Sequence, residues 1–306
     1  MGDRSTQDGQ SERRAKRYLL APLCAAALWG GMYVVSKWGF GAIPPLTLAF
    51  IRVVLGAATL FVLVRLTKPT RSFGRAEWYR FGMLAVWVAV TMATQFLGTA
   101  LTTASQGALL TVLTPVFTLV LAVRLLGESL TRSKLSGMAL ATIGTVVVVG
   151  DRYGVNVAGG QLYGIGLLLL ASLGWAAYTV YGKPLVRRYS ALETATYSTI
   201  LAVPMLGVLV PIELASVSID LIGILGRPAV LGAVVYLGVF STAIAWYLWY
   251  KGLEYVDAGT VAVFFFAQPV VGVALGVVVL GETVSPLFVI GGVVMAIGIS
   301  VVSSAR

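Results

Sequence analysis

Ten runs of about twenty apolar residues set the first constraint on this chain. They lie at 19–38, 46–66, 80–98, 104–124, 133–150, 161–182, 192–212, 228–249, 258–280 and 285–303. The hydrocarbon core of a bilayer, about 30 Å thick, is crossed by about 20 helical residues. Backbone polar groups inside lipid must bond within their own segment, so runs of this length are predicted to be helices. Barrel strands would be shorter and would alternate apolar with polar residues. The chain is 58% hydrophobic and only 11% charged, against about 25% charged in soluble domains. A soluble globular fold is thereby excluded. The first run follows SERRAKR and contains AAA, the outline of a signal peptide. Its apolar stretch before the alanines is too short for a signal core and continues well past them, so a retained helix is expected.

The net charge of +10 would suggest nucleic acid in a soluble protein, but its distribution gives another reason. Sorting the loops between the runs puts 18 of the 22 Lys and Arg residues on one side, including Arg4, Arg13, Arg14, Lys16, Arg17, Arg65, Lys68, Lys183, Lys251 and Arg306. The other side has Lys37, Arg152 and Arg227. Basic loops stay cytoplasmic, so both termini are expected in the cytoplasm and the chain in a plasma (inner) membrane, with lipid rather than nucleic acid as its surroundings. Arg52 belongs to neither side and lies within the second run.

The chain also repeats itself. VLTPVFTLVLAVRLLGESL at 112–130 and FFAQPVVGVALGVVVLGETV at 265–284 each carry a proline inside an apolar run and end near Leu-Gly-Glu. Pro115 and Pro269 are 154 residues apart, as are Glu128 and Glu282, Gly137 and Gly291, and Gly144 and Gly298. Earlier in each half the offset is 146, which pairs Trp29 with Trp175 and Lys37 with Lys183. The fold expected is an all-α polytopic membrane protein of ten transmembrane helices. It comprises a polar tail (1–17) and two five-helix units (17–150 and 151–306) that form one transport domain. Five is odd, so the second unit enters the membrane from the opposite side. Inverted repeats place a substrate near the midplane at their interface.

The runs ALWGGMYVVSKWG, the FIR of the second helix and LTPVFTLVLAVRLLGESLTRSKLSGMALATIGTVVVV with its second copy resemble EamA-type members of the drug/metabolite transporter superfamily. The resemblance spans nearly the whole chain. It implies a central cavity, alternating access and export of amino acids or other small metabolites. It leaves a sugar-phosphate or organic-anion carrier as the alternative.

The expected substrate-binding residues are those too polar or too deep for their place. Arg52, about seven residues from the end of its helix, is costly at that depth. It should face protein or water and meet either a substrate anion or backbone carbonyls. Trp29 and Trp175 fall mid-helix, where the interfacial aromatic belt does not reach, whereas Trp38, Trp78 and Trp249 fall at helix ends and are assigned to that belt. Tyr33 shares a helix face with Trp29, and Tyr178 with Trp175. Gln95, Gln106 and Gln268 are amides within apolar runs, and Trp246 lies one turn inside its helix. Pro115 and Pro269 each free a carbonyl four residues back, which marks a hinge or kink. Aromatic walls with a few polar groups suit an amphipathic organic solute.

Several classes are excluded or weakened. The chain has no histidine and one cysteine, Cys24. No disulfide, metal site, cofactor or catalytic residue is therefore expected, and the protein is not read as an enzyme. No Asp or Glu falls mid-helix, which argues against a proton-coupled carboxylate. A lipid scramblase would need a polar groove facing lipid. The partners expected are a small-molecule substrate and the bilayer, with the protein a monomer or a homodimer.

Overall fold

The computed structural model describes residues 18–102, 113–153, 162–215, 217, 219–268 and 285–304, and all regular structure among them is helical. In chain order the α-helices are α1 (Leu20–Trp29), α2 (Met32–Gly39), α3 (Pro45–Thr67), α4 (Arg75–Leu101), α5 (Leu113–Leu126), α6 (Arg132–Tyr153), α7 (Leu162–Arg188), α8 (Ala191–Gly207), α9 (Leu209–Leu214), α10 (Leu221–Leu225), α11 (Pro228–Val235), α12 (Ala245–Tyr255), α13 (Ala258–Val263) and α14 (Pro286–Ser304). A π-helical stretch, Tyr236–Ile244, joins α11 to α12, and a 3₁₀ turn, Phe264–Phe266, follows α13.

Among the described residues, six stretches are long and apolar enough to cross a membrane: Leu20–Gly39, Pro45–Thr67, Arg75–Leu101, Leu162–Arg188, Ala191–Leu214 and Pro228–Tyr255. They coincide with the first, second, third, sixth, seventh and eighth apolar runs. The fifth and tenth runs are the helices α6 and α14. The fourth and ninth fall partly outside the described residues, as do Gln106, Pro269 and Glu282. Pro115 lies in the first turn of the described part of its helix, where no kink can be read.

Local chemistry sets several helix ends. Helix α3 begins at Pro45, whose fixed φ suits a first helical position. The Glu213 carboxylate accepts from Leu46 N and Thr47 N at 2.9 and 2.7 Å, satisfying two of the amides that a helix start leaves open. At the end of α5, Gly127 takes φ +66°, and Glu128 N returns to the Ala122 carbonyl. That is the left-handed closure that glycine allows. The glycine of Leu-Gly-Glu stops one helix, and the glutamate starts another: Glu128 accepts from Ala258 N at 2.7 Å and from Gly259 N at 3.1 Å.

In lipid, helices associate through close packing of small residues rather than through hydrophobic exclusion. Helices α6 and α14 cross in this way. A Cβ on Gly144 would lie 2.5 Å from the Gly291 carbonyl, and one on Gly298 would lie 2.5 Å from the Gly137 carbonyl. Glycines are what let these backbones meet. Large apolar side chains such as Val34, Val62, Ile143 and Ile290 remain exposed on the outside, as expected where the solvent is hydrocarbon.

Candidate functional site: an aromatic cavity between α1, α4, α7 and α12

One cavity gathers most of the residues that the sequence singles out. Trp29, Tyr33, Arg52, Gln95, Trp175, Trp246 and Gln268 line it, together with Met32, Thr91, Met92, Thr114, Leu168, Ala171, Ser172 and Phe265. These walls frame a cavity of about 440 Å³.

Its aromatic wall is continuous. Trp29 and Trp175 meet edge to face, with centroids 5.2 Å apart. Phe265 stacks on Trp29 at 5.2 Å, and Trp246 meets Trp175 at 5.4 Å. Such geometry is favoured by the ring quadrupoles. Tyr178 packs on Trp175 at 5.1 Å but lies behind the wall, where its hydroxyl pairs with that of Ser198. Trp249 corrects the sequence reading. It is fully buried, packs on Trp29 and Phe265, and donates its indole N–H to Thr179 Oγ1 at 3.0 Å. Position near a helix end suggested the membrane belt, but the helix packs that face against α7. Trp38 and Trp78, 53% and 41% exposed, remain outside.

Arg52 is fully buried, and its neighbours are neutral. Nε donates to Thr242 Oγ1 at 2.9 Å, and Nη2 donates to the Ser241 carbonyl and hydroxyl, each at 3.2 Å. Nη1 reaches Met32 Sδ at 3.1 Å, and the guanidinium lies 5.4 Å from the Phe96 ring. The Ser241 carbonyl also accepts from Trp29 Nε1 at 2.8 Å. Ser241 and Thr242 belong to the π-helical stretch, where i→i+5 pairing widens the helix; such turns recur at functional sites. The sequence gives the need for a carbonyl partner but not the π turn that supplies one.

Several polar atoms in the lining are unspent. Thr91 Oγ1, Gln95 Oε1, Trp175 Nε1 and Gln268 Nε2 are buried and meet no hydrogen-bond partner among the described residues. Gln95 Nε2 donates to the Tyr33 hydroxyl at 2.9 Å. Unsatisfied buried polar atoms cost about 1–3 kcal/mol each, which a solute in the cavity would relieve. The amides and indoles were legible as mid-membrane polar residues. Met32, Thr91 and Ser172 were not, because a methionine or hydroxyl in an apolar run carries no signal of its own.

The repeat-paired lysines sit in unlike surroundings. Lys37 Nζ donates to the carbonyls of Thr99, Ala100 and Thr102 at 3.0, 2.9 and 2.5 Å, closing the end of α4. Lys183 Nζ meets Glu128 at 2.7 Å and Asp257 at 3.1 Å. Lys134 lies 3.9 and 3.6 Å from the same two acids. Four ions from α5–α6, α7 and α13 thus form one network.

Helical architecture, the apolar spans and this cavity agree with a match between residues 16–150 and 162–304 and the EamA-like transporter family. The chain belongs to the EamA-like transporter family. It is an integral membrane transporter. An Archaeoglobus fulgidus protein named an uncharacterized transporter is 26% identical over 95% of this chain and 100% of its own length. A Salmonella typhimurium relative, 27% identical over 90% and 91% of the two chains, is named a probable amino-acid metabolite efflux pump. A Streptantibioticus cattleyicolor relative, 28% identical over 65% and 64%, is named a probable terminal-alkyne amino-acid exporter. A solved structure superposes with a TM-score of 0.78 over 94% of this EamA-like chain and 98% of its own, at 22% identity, and shares its fold.

Proposed function

We propose that this EamA-like transporter exports small amphipathic metabolites of amino-acid type by alternating access, through two inverted five-helix halves that share the aromatic cavity. The observation that carries the reading is the edge-to-face contact of Trp29 and Trp175. These residues occupy equivalent positions in the repeat, and they meet at the wall of the one cavity that holds the deep arginine and the unspent amides. Contacts elsewhere support the two-fold relation. The repeat pairs Gly137 with Gly291 and Gly144 with Gly298, so the Gly137–Gly298 approach maps onto Gly144–Gly291, and both occur. Likewise, Gly98 against Leu168 maps onto Gly252 against Pro22, and both occur.

An amino-acid-like solute suits the lining. The indole N–H of Trp175 and the amide N–H of Gln268 offer donors to a carboxylate, Gln95 Oε1 and Thr91 Oγ1 offer acceptors to an ammonium, and the rings receive an apolar side chain. Arg52 is the basic group at this depth. Lys37, committed to three carbonyls, does not join it to form the paired cations that a phosphate would favour. The relatives named for amino-acid export point the same way.

Flux of labelled amino acids, organic cations and sugar phosphates in proteoliposomes tests the proposal. Phenylalanine flux should fall by about tenfold or more in Trp29→Ala and Arg52→Gln, in protein that remains folded by melting temperature. Flux of sugar phosphates in place of amino acids would favour the anion carrier, and normal flux in both variants would remove this cavity from the path.

A further inference from the structure

The break between α1 and α2 at Gly30 and Gly31 places Met32 at the head of α2, beside the Arg52 guanidinium. Arg52 has five N–H donors. Nε and Nη2 are held by Thr242 and Ser241, whereas Nη1 meets, among the described residues, only the Met32 thioether, at 3.1 Å. A thioether is a weak acceptor. Among the described residues, no Asp or Glu forms an ion pair with Arg52. A buried cation without a counter-ion is unfavourable, and this one has its least satisfied nitrogen on a side chain that lines the cavity. Met32 and Arg52 both line it, beside the unpartnered Trp175 Nε1 and Gln268 Nε2. Methionine has three flexible bonds and can move aside at little cost.

We propose that the Met32 sulfur is a placeholder: it occupies the position on Arg52 Nη1 that a substrate carboxylate oxygen takes, and it leaves when the carboxylate arrives. Met32 is thereby a specificity-determining residue for solutes with an anionic end. The inference rests on the cavity being the transport path for amino-acid-like solutes. It adds which nitrogen of Arg52 is exchanged and which side chain competes for it.

The test uses the full chain, in detergent for binding and in proteoliposomes for flux. L-phenylalanine is the probe, and phenethylamine, which lacks the carboxylate, is its control. In Met32→Leu the cavity keeps its apolar volume but Nη1 has no internal acceptor. This variant should bind phenylalanine about three- to tenfold more tightly than wild type and gain nothing for phenethylamine. In Met32→Glu a tethered carboxylate takes the position permanently. Phenylalanine binding should fall by roughly tenfold or more, while the variant melts at a higher temperature than wild type because Arg52 gains a counter-ion. Weaker phenylalanine binding in Met32→Leu would overturn the proposal, and so would wild-type binding in a folded Met32→Glu. Should Met32→Glu not fold, Met32→Leu decides. Wild-type protein that carries phenylalanine, with variants that bind it equally well, removes Met32 alone. Folded wild-type protein that neither binds nor carries phenylalanine overturns the reading of the cavity and this inference with it.

Discussion

At the scale of single residues, two charges show how burial turns an ordinary side chain into a commitment. Glu128 satisfies Lys183 and two backbone amides of α13 together. Glu128→Gln should destabilise the protein by about 3–5 kcal/mol, because Lys183 and Lys134 would keep only Asp257. The exchange of Glu128→Lys with Lys183→Glu should recover little of that in thermal melts, since an ammonium at position 128 cannot accept from Ala258 N and Gly259 N. Burial alone would raise the Asp257 carboxyl. Lys183, by charge and hydrogen bond, with Lys134 and Arg187 behind it, holds it below its ordinary 3.8. A carboxylate held low in the folded state contributes stability that is present above its unfolded value and lost as pH falls through its folded one. The melting-temperature gap between wild type and Asp257→Asn should therefore be present at pH 7 and close as the pH drops below 3.8. Arg52 shows what sequence reading reaches at this scale. Its depth is legible from its place in an apolar run, and depth demands carbonyls or an anion. Which carbonyl cannot be read, because Ser241 is 189 residues away and is presented by a π turn that no periodicity announces.

At the scale of elements, the glycines divide by what faces them. A Cβ on Gly144 would press within 2.5 Å of the Gly291 carbonyl and the Met295 amide, whereas one on Gly292 meets nothing within 4 Å. Backbone cannot yield as a side chain can. Gly144→Ala should cost about 1–3 kcal/mol and lower the melting temperature in detergent, while Gly292→Ala should fall within about 0.5 kcal/mol of wild type. Equal melting temperatures for the two would mean that the α6–α14 crossing does not stabilise the fold. Gly291, whose carbonyl faces Gly144, and Gly292 stand side by side in GG at 291–292; only the crossing tells them apart. The same holds for Trp249. Its place near a helix end is legible, and the face that it turns toward α7 is not.

At the scale of the molecule, the distribution of Lys and Arg along the sequence predicts an orientation. The Glu128–Lys183 network and the Arg71–Glu193 and Arg188–Glu77 pairs involve residues assigned to the basic, cytoplasmic side, whereas Lys37 and Arg227 belong to the other. This orientation predicts labelling. In a Cys24→Ser background, Ile222→Cys, on a residue 87% exposed, should react with an impermeant maleimide on intact cells. Ser304→Cys, also exposed, should react only after permeabilisation. The reverse pattern would invert the topology.

Apolar run lengths alone establish a helical membrane protein and locate six of its spans, because hydrocarbon thickness and backbone hydrogen bonding leave few alternatives. Its polar and aromatic residues at depth also marked seven of the fifteen residues that line the cavity, since a costly side chain in lipid must find a protected place. Tertiary structure decided the rest: that Tyr178 stands behind the wall, that Trp249 is core, that Met32 meets Arg52, and that Glu128 starts a helix 130 residues away. Those outcomes depend on which helix faces touch. In an apolar solvent every face is hydrophobic, so periodicity no longer reports which side is inside.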